Sequence, residues 1–308
     1  MEGGEYSLDS SWVPLHKSEV DRKLLSVIST VLGLFPNLPV SVHRIITSVY
    51  DPKTSAREIS EIAASDPVLV STILKKVNSS FYSTGRKIDN LNLAIVILGF
   101  NEVRNIALQC GLVKTFRRDD NPEFNTRDLW THSYSVSLCN ELLAKNTGQR
   151  RSGVLMTVGM LHDIGKFALY AIGLHAKRLG MKARGLADAS PDAALLEKEE
   201  RLFGVNHAIV GEMLARKWNL SERICAVLEY HHYPSFFPME EIPEEYRYDV
   251  AVTCISDYAV NMLEERKPLP LPGEEFFRVA GIPSIDTLLT PAIQMKLEFA
   301  KNFLDELS

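Results

Sequence analysis

Gly159-Met160-Leu161-His162-Asp163-Ile164-Gly165-Lys166 sets an imidazole beside a carboxylate in the middle of an apolar run. Burying both groups is costly unless something satisfies each of them. A hydrogen-bonded His-Asp pair inside the core would do so, and the dipeptide alone favours that solution. A divalent metal would also do it, because neutral imidazole nitrogen and carboxylate oxygen are ligands for iron, zinc, manganese and nickel. The other histidines tip the balance toward metal.

The chain has eight histidines. His16 and His43 lie early, His175 follows the quoted run, and His43 and His175 read as structural or exposed. The other five, His132, His162, His207, His231 and His232, each fall within or at the end of a segment with helical periodicity. Asp257 joins them, interrupting the apolar face of Cys254-Ile255-Ser256-Asp257-Tyr258-Ala259. Helical metalloproteins build carboxylate-histidine sites in this way, with several helices each offering one or two ligands to a shared interior.

At 308 residues the chain has room for one large domain or two modest ones. Its 45% hydrophobic content suits a substantial core. A net charge of -5 offers no basic excess to offset phosphates, which argues against a nucleic-acid binder. The four cysteines are scattered without a CxxC, as expected of reduced thiols in a cytosolic protein. No apolar stretch reaches the length of a membrane span, and the N-terminus lacks a basic stretch followed by an apolar one. The expectation is a soluble, cytoplasmic protein that meets neither membrane nor nucleic acid.

The pattern predicts an all-α fold. Residues 1–17 form a tail, 18–125 a first helical bundle, 126–264 a second bundle holding every candidate ligand, and 265–308 a C-terminal helical extension. Ser55 with Glu58 suggests a capping box, and Asp66-Pro67 a cap with a first-turn proline. Gly99 should separate two helices, and Asn206 should open the helix that begins at His207. One continuous helix is expected from Val154 to Gly173, then a loop from Lys182 to Pro191, and a last helix from Pro291 to Leu307. Asn78-Ser79-Ser80 reads as a helix stop whose side chains bond local backbone.

Four stretches in the first half, taken together, resemble an HDOD domain, the HD-related output domain of bacterial signalling proteins. They are Leu34-Phe35-Pro36-Asn37-Leu38-Pro39, Asp66-Pro67-Val68-Leu69, Val77-Asn78-Ser79-Ser80-Phe81-Tyr82 and Ala94-Ile95-Val96-Ile97-Leu98-Gly99. The likeness covers residues of about 30 to 235. The second half resembles the wider HD superfamily of metal-dependent phosphohydrolases, whose ligand pattern maps onto His132, His162-Asp163, His207, His231-His232 and Asp257. Many HDOD domains have lost parts of that set, whereas this chain keeps it. The resemblance implies a multi-helix HD-type bundle holding one or two divalent ions. His132, His162, Asp163 and Asp257 would serve a first ion, Asp163 would bridge, and His207, His231 and His232 would complete a second.

Lys166 follows His162 by one helical turn, so its ammonium could meet a phosphate oxygen. By resemblance, the lysine of His-Asp-x-Gly-Lys contacts phosphate in cyclic-dinucleotide phosphodiesterases, which makes Lys166 and Asp163 the candidate catalytic pair. Asp128, one turn before His132, reads as dipole compensation more than as a ligand. Three functions stay open. The first is a signalling module that works through protein partners. The second is a phosphohydrolase or phosphodiesterase on a nucleotide or other phosphate ligand, and the third a di-iron oxygenase. Against the second, the Gly-Tyr-Pro signature of cyclic-di-guanylate phosphodiesterases is replaced by Tyr233-Pro234-Ser235-Phe236-Phe237-Pro238 after the paired histidines.

Overall fold

The computed structural model describes residues 12–48, 53–79, 82, 87–116, 126–146, 152–178, 195–291, 293–295, 297 and 298. Among these, all regular structure is helical. The first six helices are α1 (Arg22–Gly33), α2 (Val40–Thr47), α3 (Ala56–Ala63), α4 (Pro67–Val77), α5 (Leu91–Leu98) and α6 (Phe100–Phe116). The next six are α7 (Thr126–Asn146), α8 (Ser152–Leu161), α9 (Ile164–Arg178), α10 (Leu195–Phe203), α11 (His207–Lys217) and α12 (Glu222–Tyr230). The last two are α13 (Arg247–Leu263) and α14 (Glu274–Ala280). The loop expected at Lys182–Pro191 and the end of the last predicted helix lie outside the described residues. The described positions between 291 and 298 are helical.

Several helix starts are built from local chemistry. Ser55 Oγ accepts from Glu58 N, and Asp66 Oδ1 accepts from Val68 N and Leu69 N ahead of Pro67. Asn206 Oδ1 accepts from Ile209 N, supplying a bond that the first turn of a helix cannot make for itself. Gly99, at φ 80°, lets α5 and α6 meet at a 109° bend. Asn78 closes α4 and clamps the next segment, donating to the Leu74 and Ile88 carbonyls and accepting from Ile88 N.

The helices enclose two cores. A smaller one lies between α2 and α6, around Ile45, Ile59, Leu69, Ile73, Val77, Ile95 and Ile106. A larger one unites α7 to α14 and draws in Ile28 and Leu32 of α1. Residues 12–19 lie on this second part. Trp12 meets Phe236 edge-on, His16 sits against Tyr233 and Phe237, Leu15 N donates to Glu200, and Lys17 pairs with the buried Glu212. Among the described residues no single helix is long and apolar enough to cross a membrane. No disulfide links the four cysteines.

One expectation needs correcting. The segment from Val154 to Gly173 is two helices, α8 and α9, with His162 and Asp163 forming the turn between them. The His162 ring explains the break. Its Nδ1 donates to the Gly159 carbonyl at 2.8 Å, capping an oxygen left open where α8 stops. Helix α14 lies inside the C-terminal extension. Its marks are the buried Phe276, Phe277 and Ala280, closed by Gly281 in the left-handed region at φ 70°.

Two glycines bring the ligand-bearing helices together. A Cβ on Gly159 would lie 2.7 Å from Ser137 Cα, so α8 packs backbone to backbone on α7. A Cβ on Gly165 would lie 1.9 Å from the His207 carbonyl oxygen, so α9 reaches α11 only because that atom is missing.

Candidate metal centre

Asp163 sits in the middle of five imidazoles from four parts of the chain. His132 comes from α7, His162 from the α8–α9 turn, and His207 from the first position of α11. His231 is the C-cap residue of α12, and His232 follows it. All six residues are buried. One ligand atom each from His132, His162 and Asp163 lies within 4.8 Å of the others, and the same holds for Asp163, His207, His231 and His232. Asp163 belongs to both groups, with one carboxylate oxygen toward each. Its Oδ2 lies 3.4 Å from His162 Nε2 and 4.0 Å from His132 Nε2. Its Oδ1 lies 3.2 Å from His207 Nε2 and 4.0 Å from His231 Nε2. Asp257 Oδ1 joins the first group, 2.9 Å from His132 Nε2 and 3.7 Å from His162 Nε2. Asn261 Nδ2 donates to that oxygen at 2.8 Å and steadies it.

Four rings have their outer nitrogen engaged already. His162 Nδ1 bonds the Gly159 carbonyl, and His231 Nδ1 bonds the Leu228 carbonyl at 2.8 Å. His207 Nδ1 bonds Glu199 Oε2 at 2.7 Å, and His132 Nδ1 bonds Glu264 Oε2 at 3.2 Å. Each neutral ring that donates through Nδ1 presents a bare lone pair at Nε2, and every one of those Nε2 atoms faces Asp163. His162 Nε2, His231 Nε2 and Asp163 Oδ1 are buried with no hydrogen-bond partner. His207 Nε2 and His232 Nε2 stand 2.9 Å apart, at ligand-to-ligand distance, and His232 Nδ1 is buried with no hydrogen-bond partner. Such a convergence of acceptors fits a cation, and without one it would be unfavourable.

The electrostatics agree. Burial opposes charge on Asp163, yet His162 and Lys166 hold its carboxyl well below the usual range. Burial opposes charge on Asp257 too, and His132 and His162 lower it. Burial, reinforced by His162 and His207, drops His231 to about 3, and burial with His231 and His207 holds His232 well below its ordinary value. Burial also disfavours charge on His162, but Asp163 and Asp257 raise it to about 10. The two carboxylates therefore draw positive charge inward, and protons supply it where no ion does. A divalent ion would supply it directly and leave the rings neutral.

Lys166 Nζ lies 2.6 Å from Asp163 Oδ2 and is mostly buried, at the edge of the centre. Asp128 is exposed in the first turn of α7 and does not belong to the buried cluster. His43 is half-buried on α2, and His175 has its ring outside the described side chains. Glu199 and Glu264 are the functional side chains that the sequence reading missed. Each left a trace. Glu199 shares a helical stripe with Leu196 and Phe203, and Glu264 lies seven residues beyond Asp257, on the same face.

The fold and centre define a helical HD-type domain, and the sequence profile of the HDOD domain family matches residues 35–234. The chain belongs to that family. Asp257 and Glu264 lie beyond the matched range. An uncharacterized protein of Treponema pallidum (strain Nichols) is 23% identical over 269 residues, covering 86% of this chain and 50% of its own. The chain thus spans about half the length of that relative. An HDOD domain protein of unknown function from Geobacter sulfurreducens superposes with a TM-score of 0.67 at 23% identity, over 92% of this chain and 99% of its own. A candidate signal transduction protein from Marinobacter aquaeolei gives 0.71 at 18% identity, over 93% and 64%. A candidate metal-dependent phosphohydrolase from Shewanella amazonensis gives 0.60 at 16% identity, over 92% and 98%. At these identities the likeness is one of fold.

Proposed function

We propose that this chain is a cytoplasmic signal-transduction HDOD protein that has kept an HD-type centre for one or two divalent ions. One observation carries the reading: four Nε2 atoms, each on a ring whose opposite nitrogen is already bonded, converge on one buried carboxylate. His132, His162, Asp163 and Asp257 would hold one ion, and Asp163, His207, His231 and His232 the other. The nitrogen and oxygen donors suit iron, manganese, zinc or nickel. Signalling proteins are the partners this reading implies, by way of the domain family. The test is metal analysis of full-length protein purified without added ions. Stoichiometric metal that falls in His162→Ala is expected. Sub-stoichiometric metal unchanged by that substitution would overturn the reading.

A second reading, phosphohydrolase or phosphodiesterase, has its own support in Lys166. The ammonium is held on Asp163 at the margin of the centre, where it could neutralise a phosphate oxygen. An ion bound there would acidify a water enough to yield hydroxide near neutral pH. Asp163 would hold that ion, and Lys166 would bind and orient the phosphate. The assay offers cyclic and linear nucleotides with manganese or iron. Turnover lost in Asp163→Ala selects the hydrolase, and silence across the panel supports the signalling module. Oxygen consumption dependent on ferrous iron would point instead to an oxygenase.

A further inference from the structure

We infer that Glu199 and Glu264 are positioning residues, one for each of two separable metal positions in the centre. The inference rests on the metal-binding reading and goes beyond it, because it assigns the support of each position to a different acid.

The two ligand groups share Asp163 and each contains a pair of supported rings; Asp257 adds to the first and His232 to the second. In the first, His162 is oriented by a backbone carbonyl and His132 by the carboxylate of Glu264. In the second, His231 is oriented by a backbone carbonyl and His207 by the carboxylate of Glu199. Each position therefore has one carbonyl-backed ring and one carboxylate-backed ring. A carboxylate on the outer nitrogen makes the imidazole a stronger donor and fixes its tautomer, effects worth 10–100-fold in metal affinity or activity. Both acids are buried. Glu199 is 4% exposed, and the Glu264 side chain is also 4% exposed.

The two supports are mechanically independent. Glu199 belongs to α10, and its Oε2 also accepts from His207 N at 2.7 Å, which holds both the ring and the start of α11. Glu264 is the C-cap of α13, and its Oε2 also meets Arg266 Nε at 3.2 Å. Its place is set by a tight reversal: Glu265 adopts φ 56°, and Arg266 N bonds the Asn261 carbonyl at 2.9 Å. No element is common to both, so loss of one acid should leave the other position standing.

The experiment titrates Co(II) into the metal-stripped full chain, followed by absorbance and chelator competition. The wild type should take two ions. Glu264→Gln should weaken one by about 10–100-fold, the ion also lost in His162→Ala, and leave the other unchanged. Glu199→Gln should weaken the ion also lost in His231→Ala. Glutamine keeps an acceptor oxygen, so the loss reports charge, and metal-free thermal unfolding should stay close to wild type. Equal weakening of both ions, no weakening, or a single ion in the wild type would overturn the inference. A wild type that binds no Co(II) would instead overturn the metal reading itself. Should a variant fail to fold, 15N NMR of the zinc-loaded wild type decides: Nδ1-protonated rings at His132 and His207 are expected, and Nε2 protonation at either is fatal to the idea.

Discussion

Lys76 and Asp163 are both charged side chains with almost no exposure, yet their surroundings differ in kind. Lys76 Nζ lies 3.4 Å from Glu102 Oε1 and 3.3 Å from the Tyr134 hydroxyl, which itself donates to Glu102 Oε1 at 2.8 Å. That triangle joins α4, α6 and α7, where the two cores meet, and its donors and acceptors meet one another. Around Asp163 the Lys166 ammonium donates to Oδ2, and the remaining neighbours are imidazoles. The rings turn Nδ1 outward to carbonyls and carboxylates, so each ring when neutral sets an acceptor against the carboxylate. Burial of charge thus does not distinguish structure from site. The excess of lone pairs does.

Replacing the shared ligand is expected to have the largest effect. Asp163→Asn should reduce bound metal to background and abolish the rise in thermal midpoint on adding metal, because both groups use that carboxylate. An ion retained at full affinity would break the picture of a shared bridge. Lys76→Met should cost about 3–5 kcal/mol in denaturant unfolding, since it strands the Glu102 charge, with metal content unchanged. Replacing both partners, Lys76→Met with Glu102→Leu, should recover much of that loss. If Lys76→Met alone released metal, the triangle would belong to the site after all.

Gly165→Ala should destabilise by about 1–3 kcal/mol through forced separation of two packed helices. It should also weaken metal binding, because α9 must retreat from the His207 carbonyl. Asp66→Ala should have the smallest effect, about 1 kcal/mol for a lost helix cap. It should be silent in metal analysis, because α4 contributes nothing to the centre.

How much of this was legible varies with the range of the interaction. The caps at Ser55, Asp66 and Asn206, and the stop at Asn78, act within a few residues and could be read directly. The ligand-type residues could be recognised by their interruption of apolar faces. The turn at His162-Asp163 could not, because periodicity runs straight through it and only the ring's bond to the Gly159 carbonyl marks the break. Glu199 was hidden in Glu197-Lys198-Glu199-Glu200, a run of charge that resembles a solvated helix face.

The sequence by itself determined the helical class, most helix starts and the inventory of imidazoles and carboxylates, since these follow from composition and short-range chemistry. Only the tertiary structure decided which nitrogen of each ring faces inward and which acids stand behind His132 and His207. Ring orientation depends on partners that lie 8 residues away for His207 and 132 for His132. A distant partner leaves no local periodicity to read. It becomes visible once glycines at 159 and 165 let the helices close to backbone contact.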